Sequence, residues 1–316
     1  MPIESVGSPT LWIAFIAFVF AMLALDLGVL HRRPHEVGLK ESAMWSAVWV
    51  ALSLAFNAGV YFWFGAERAL EFFTGYLVEK ALSVDNLFVF VVVFSAFSIP
   101  PLYQHRVLFW GVLGALVMRA VFIFAGAAFL QRFHWAIYVF GSILAITGVR
   151  LLIQREHDAH PENSPLIRWL KRVLPVTHED SGGKFILVKD GKRFVTPLFL
   201  ALVTVEITDL IFAVDSIPAV FAVTTDPFIV FTSNIFAILG LRSLYFLLAG
   251  VLTKFVYLKI GLSLVLIFVG AKMLFMGVYK LPILVSLGVI VAILGVSIVA
   301  SLVKTRAEAA PQPQDG

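Results

Sequence analysis

The sequence predicts an all-α polytopic membrane protein of about nine transmembrane helices that contains two inverted three-helix repeats. Three observations lead there. Of the 316 residues, 60% are hydrophobic and only 14% charged, with a mean hydropathy of +0.95, far from the balance of a soluble domain. Apolar runs such as 11–30 and 283–303 are long enough to cross a hydrocarbon core as helices. An acidic segment also occurs twice, as Glu79–Asn86 (EKALSVDN) and Asp209–Ser216 (DLIFAVDS).

In chain order, the apolar runs place spans at about 10–30, 44–64, 72–98, 107–130, 135–153, 196–222, 228–250, 255–277 and 282–303. The first run is too long and aromatic for a cleaved signal peptide and carries Asp26 near its end. Between the fifth and sixth spans lies one long polar segment, about 154–195. Its last part, 185–196, reads as a short hairpin: FILV and RFVT flank Lys189-Asp190-Gly191-Lys192, and Asp-Gly favours a type I′ turn. Residues 1–306 therefore read as a single transmembrane domain. Repeat one covers about 72–153, the loop with its hairpin about 154–195, and repeat two about 196–277. The tail 307–316 (AEAAPQPQDG) is expected to be disordered.

Positive charge sets the orientation. With the N-terminus outside and nine spans, the cytosolic side holds 17 of the 24 Lys and Arg, seven of them between Arg168 and Arg193. The outer side holds Arg68, Arg132 and Lys280, and Lys80, Arg119, Arg242 and Lys272 lie within spans. This is a positive-inside bias, so the net charge of +4 reflects topology and gives no reason to expect nucleic-acid binding.

The repeat extends beyond the acids. Met118–Phe124 (MRAVFIF) aligns with Leu241–Leu247 (LRSLYFL), pairing Arg119 with Arg242, and Gly148-x-Arg150 aligns with Gly270-x-Lys272. Three spans per unit turn the second copy upside down, the arrangement of many secondary transporters, whose substrates bind where the repeats meet.

Five carboxylates sit inside spans: Glu79, Asp85, Glu206, Asp209 and Asp215. A central Asp costs roughly 2.5–3.5 kcal/mol on insertion scales, so such residues are functional candidates. Around them stand Ser83, Asn86, Thr204, Thr208 and Ser216, neutral oxygens that an ion pair would not need. Carboxylate, amide and hydroxyl oxygens together suit a hard divalent cation, Mn²⁺, Mg²⁺ or Ca²⁺, without separating the three. The candidate metal residues are Glu79, Asp85, Asn86, Glu206, Asp209, Asp215 and Ser216. The competing reading is structural: four intramembrane bases could neutralise four of the five acids. On a continuous helix Glu206 and Asp209 share a face and Asp215 points elsewhere. Pro218 frees the carbonyl of Val214 as a further oxygen beside Asp215. Asp26 and Asn57 are expected to hydrogen-bond between helices.

Zero cysteines exclude disulfide and thiol chemistry by the chain itself. Every histidine lies in a loop or at a span end, and His157, His160 and His178 fit no compact ligand set. No nucleotide loop or nucleophile–base signature is present, so the chain reads as neither an enzyme nor an ATP-driven pump. No tightly bound cofactor is expected. The lipid bilayer and a divalent ion are the expected partners, and a homo-oligomer stays open.

Glu79–Asn86, Thr196-Pro197-Leu198, Val205–Ala219 (VEITDLIFAVDSIPA) and Thr232–Phe246 (TSNIFAILGLRSLYF) resemble the signatures of the TerC family of integral membrane proteins, in particular its Alx-like branch. The resemblance runs from about Leu25 to Lys272. It implies a nine-span bacterial inner-membrane protein that exports Mn²⁺, with a family name tied to tellurite resistance and Glu79, Asp85, Glu206, Asp209 and Asp215 along the metal path. Proton exchange would drive such export. The alternatives are a membrane redox modulator and an accessory protein that supports metalation or tellurite resistance without transport of its own.

Overall fold

The computed structural model describes residues 5–28, 38–133, 135–153, 175–177, 182–189, 191–249, 257–279 and 281–309. The side chains of Asp26 and Asp85, the loop histidines His157, His160 and His178, and the tail 310–316 fall outside the described part.

The chain is helical almost throughout. Helices α1 (Pro9–Gly28), α2 (Leu39–Phe64), α3 (Ala66–Ala96), α4 (Pro101–Arg132) and α5 (Ala136–Ile153) precede a two-stranded hairpin, β1 (Ile186–Lys189) and β2 (Lys192–Val195). Then follow α6 (Pro197–Phe221), α7 (Pro227–Leu239), α8 (Leu241–Leu248), α9 (Leu258–Leu274) and α10 (Ile283–Ala309). Every expected span coincides with a helix, and α7 with α8 share the seventh. Among the described residues six helices, counting Pro227–Leu248 as one, are long and apolar enough to cross a membrane. This is an integral membrane protein with several apolar helices.

Local sequence sets the ends. Thr196 caps α6 by accepting from the amide of Phe199 at 3.4 Å, with Pro197 at the first helical position. Asp226 caps α7 in the same way, through the amide of Phe228 at 2.9 Å, again followed by proline. The nearly inaccessible Asp226 also accepts from Ser5 Oγ (3.0 Å) and the Val6 amide (2.8 Å), tying the N-terminal segment to the start of α7. Helix α3 closes on a left-handed residue, Ser98 (φ 50°). The Ile99 amide reaches the Phe94 carbonyl at 2.8 Å and the Ser98 amide the Ser95 carbonyl at 3.0 Å, the paired bonds of a Schellman motif. Pro100 and Pro101 then start α4, so the Ser98–Pro101 break ends the span as expected.

The hairpin lies where the sequence puts it. Ile186 pairs with Val195 and Lys189 with Lys192, and Gly191 turns the chain at φ 73°. It rests on the start of α4, where Arg106 donates to the Gly183 carbonyl and lies over the Phe185 ring.

One difference concerns backbone breaks. Pro218 does not unwind α6, which stays helical through Phe221. The interruption inside a span falls at Gly240, between α7 and α8. The α7–α8 span is also the most enclosed, with 89% of its apolar window buried against 17% for α2 and 22% for α10. Phe228, Phe231 and Phe236 of α7 meet Trp12 and Phe15 of α1, Phe56 of α2 and Phe72 of α3 in one aromatic cluster.

Two helix junctions position everything else. At the first, α5 crosses α9 so closely that side chains are excluded. A Cβ on Gly148 would stand 2.8 Å from the Ser263 carbonyl oxygen and 2.9 Å from the Ile267 nitrogen. A Cβ on Gly270 would stand 2.7 Å from the Gly141 oxygen and 2.6 Å from the Ala145 nitrogen. Ser263 and Ile267 precede Gly270 just as Gly141 and Ala145 precede Gly148, so the contact is reciprocal and the helices run antiparallel. The second junction is that of α3 with α6, and it is polar.

Candidate functional site

At the α3–α6 junction, Glu79 and Arg119 are fully inaccessible and Asp209 is 3% exposed. The Arg119 guanidinium, from α4, forms an ion pair with Glu79 Oε1 and reaches Asp209 Oδ1 at 3.3 Å. It also donates to Ser216 Oγ at 3.2 Å and to Asn234 Oδ1 of α7 at 3.1 Å. Asn234 Nδ2 turns back to Glu79 Oε2 at 2.9 Å, and Asn86 Nδ2 donates to Asp209 Oδ1 at 3.1 Å. Ser83 Oγ donates to Glu79 Oε1 at 3.4 Å. Side chains from three other helices, α3, α6 and α7, thus converge on one guanidinium.

The pairing is antiparallel and reciprocal here as well. Glu79 lies level with Ser216, and Asn86 with Asp209; these are the first and last residues of the two aligned acidic segments. Two carboxylates against one guanidinium leave one negative charge. Two atoms at the centre, Asp209 Oδ2 and Arg119 Nε, are buried without a hydrogen-bond partner among the described residues. A buried charge with an open lone pair is costly unless something completes it. The cluster contains carboxylate, amide and hydroxyl oxygens, the ligand types that suit a small hard cation.

Glu206 and Asp215 stand outside the hydrogen bonds of this cluster. Glu206, half-buried, shares the α4-facing side of α6 with Asp209, as the helical geometry predicts. Its carboxylate occupies the space where Gly114 of α4 would otherwise carry a Cβ. Asp215, also half-buried, points elsewhere, accepting from Thr147 Oγ1 of α5 at 3.0 Å. Asp85 lies on α3 immediately before Asn86, and its side chain is outside the described part. Among the described residues no three acidic or histidine side chains gather around one possible ion position. The structure therefore brings Glu79, Asn86, Asp209 and Ser216 together, leaves Glu206 one turn from Asp209 outside the hydrogen bonds of the cluster, and places Asp215 elsewhere. Asn57 Oδ1 is buried without a hydrogen-bond partner among the described residues.

Sequence reasoning identified Arg119 as an intramembrane base but not as the centre of the cluster. The assignment needs the α4 crossing, which no spacing within one helix reveals. Asn234 was visible as an amide in an apolar span, the same signal that marked Asn86. Lys80 reaches the Ala237 carbonyl at 3.1 Å rather than an acid among the described contacts. Arg242, the counterpart of Arg119, is buried on α8.

Comparison with known proteins gives a consistent family assignment. The family model described as integral membrane protein TerC family matches residues 64–309. The chain is 62% identical over 302 residues to the uncharacterised membrane protein STKORF319 of Myxococcus xanthus, covering 96% of this chain and 95% of that protein. It is 49% identical over 301 residues to Alx of Escherichia coli K12, named as a candidate membrane-bound redox modulator, covering 92% and 94%. An uncharacterised membrane protein of Rickettsia bellii is 42% identical over 293 residues, covering 93% and 97%. No solved structure matches the chain. With the acidic signatures on α3 and α6 and near-complete coverage of these relatives, the chain belongs to the TerC family of integral membrane proteins.

Proposed function

We propose that the chain exports divalent metal ions, Mn²⁺ in particular, across a bacterial inner membrane in exchange for protons. The observation that carries this reading is the open Asp209 Oδ2 at the buried α3–α6 junction. A purely structural ion pair would be expected to close its lone pairs, because an incomplete buried pair costs stability. A transporter between cargoes instead needs an unfilled acceptor. In this scheme Arg119 is a tethered cation that offsets one of the two charges on Glu79 and Asp209. An arriving divalent ion displaces the guanidinium and takes oxygens from Glu79, Asp209, Asn86 and Ser216. The exchanged proton rides on Asp209.

The other acids extend the path. Along α6, Glu206, Asp209 and Asp215 span about 14 Å at a rise of about 1.5 Å per residue. The outer two are half-buried and the middle one is closed off, so they read as an approach on either side of an occluded centre. Asp85 joins this path by its place on α3. Mn²⁺ is selected over Mg²⁺ and Ca²⁺ by the family resemblance, since oxygen ligands accept all three. In this scheme the protein performs no enzymatic step and holds no tightly bound cofactor.

The same reading gives nine spans, with the N-terminus outside and the C-terminus cytosolic. Exposed aromatics support it: Trp63, Trp135 and Tyr279 sit at the ends of α2, α4 and α9, which this orientation places on the outer surface as an interfacial belt. Inverted repeats, α3–α5 and α6–α9, are supported by the reciprocal antiparallel contacts at both junctions.

The second reading, favoured by the Glu79–Arg119 ion pair, is a structural network in a membrane protein that moves no metal itself. Relatives named as redox modulators belong with it, although a chain without cysteine offers no thiol for such work. Reconstituted vesicles separate the two. With an imposed pH gradient, Mn²⁺ and protons should move in opposite directions, and Asp209→Asn should stop both while leaving the protein folded. A single cysteine at Asp180 reports which way each molecule is inserted. Absence of Mn²⁺ flux in correctly oriented, folded protein would leave the structural reading standing.

A further inference from the structure

Two neighbouring residues of α3 grip the same end of α7. Glu79 Oε2 accepts from Asn234 Nδ2 at 2.9 Å, and Lys80 Nζ donates to the Ala237 carbonyl at 3.1 Å. Ala237 lies in the last turn of α7, whose carbonyls lack intrahelical partners because the helix stops at Leu239. These oxygens carry the negative end of the helix dipole, and a cation there is stabilising. The ammonium is wedged into the break itself. A Cβ on Gly240 would stand 2.9 Å from Lys80 Nζ and 3.1 Å from Cβ of Trp49 on α2. A side chain at the interruption would press on the lysine head and on the base of the Trp49 side chain.

We infer that Lys80 is a positioning residue that latches the α7–α8 break, so that the occupancy of Glu79 is passed to a hinge at Gly240. This deepens the transport reading and rests on it for the purpose of the movement. Exposed carbonyls at an interrupted membrane helix are where transporters of this general build receive cations. Here a tethered ammonium holds that place in the metal-free state. When Glu79 leaves Arg119 and Asn234 for a metal, the adjacent Lys80 is pulled with it, because one turn of α3 carries both. The α7 carbonyls then lose their cation, and the Gly240 break between α7 and α8 loses one of its restraints.

Full-length protein carrying one cysteine at Ser243 on α8 tests this against an otherwise cysteine-free background. The rate of thiol labelling in vesicles, with and without Mn²⁺, reads the freedom of α8. Lys80→Met keeps the length and apolar stem and removes the donor. It should raise the metal-free labelling rate on the order of tenfold, the effect of losing one hydrogen bond to a charged group, and abolish the further rise caused by Mn²⁺. Lys80→Arg should restore most of the parent behaviour. Should Lys80→Met not fold, Gly240→Ala reaches the same contact from the other side and should likewise speed labelling. Parent-like labelling in whichever variant folds overturns the latch. If the parent moves no Mn²⁺, the transport reading fails by itself, while the metal-free labelling rates still decide whether Lys80 restrains α8.

Discussion

The two junctions between the matched halves of the chain solve the same geometric problem with opposite chemistry. At α5–α9 the helices meet through glycine, backbone against backbone. At α3–α6 they meet through carboxylates, amides and a hydroxyl drawn onto one guanidinium. Close-packed backbone has one good arrangement, and a shift of an ångström forfeits much of its dispersion energy. A hydrogen-bonded cluster with two open atoms has several arrangements, because its partners can be exchanged. The glycine seam is therefore suited to be the fixed axis, and the charged junction to be the part that changes.

The largest expected effect comes from removing the counter-ion. Arg119→Met leaves Glu79 and Asp209 facing each other without compensation, and breaking a buried pair in this way costs about 3–5 kcal/mol. Unfolding in detergent should register that loss, and adding Glu79→Gln should recover much of it. Equal instability with and without Glu79→Gln would mean that Arg119 acts through packing rather than charge. Next comes the seam. Gly148→Val or Gly270→Val forces side chains into backbone atoms of the facing helix and should destabilise by about 1–3 kcal/mol. Both should behave alike, since the contact is reciprocal; a large inequality between them would argue against equivalent halves. The smallest effect lies outside both junctions. Ser98→Gly relieves a left-handed residue at the end of α3 and should raise stability by at most about 1 kcal/mol, with transport unchanged. A gain there calibrates what backbone relief alone does in this protein.

Much of this contrast was legible in the sequence, and the unread part has physical causes. Each helix follows from a long apolar run, because lipid leaves the backbone no option but internal hydrogen bonds. The hairpin follows from Asp190-Gly191, and the end of α3 from Pro100-Pro101. The match of Glu79 with Asp209, and of Gly148 with Gly270, was visible as spacing. The partner of each acid was not, since Arg119 is forty positions from Glu79 and ninety from Asp209 and only packing decides which base meets which acid. Pro218 pointed to an irregular α6, yet the helix continues, because one lost amide donor does not stop a helix held by neighbours on several sides. Gly240 gave no such warning. Its flanks, Ile238-Leu239 and Leu241, read as uninterrupted apolar helix, and the lysine and tryptophan that crowd it come from other spans.

The tie between the N-terminal segment and Asp226 has a consequence for how the protein is made. Ser5 and Asp226 are separated by 221 positions. At a synthesis rate of about 5–20 residues per second, Ser5 waits on the order of 10–45 s after its own synthesis for the acceptor that fixes it. Until then α1 cannot take up its final contact with α7, whose own cap is the same carboxylate. The segment ahead of α1 is thus secured only after α2–α6 have been made, and an extension fused ahead of Ser5 would burden a later step of assembly than the insertion of α1 itself.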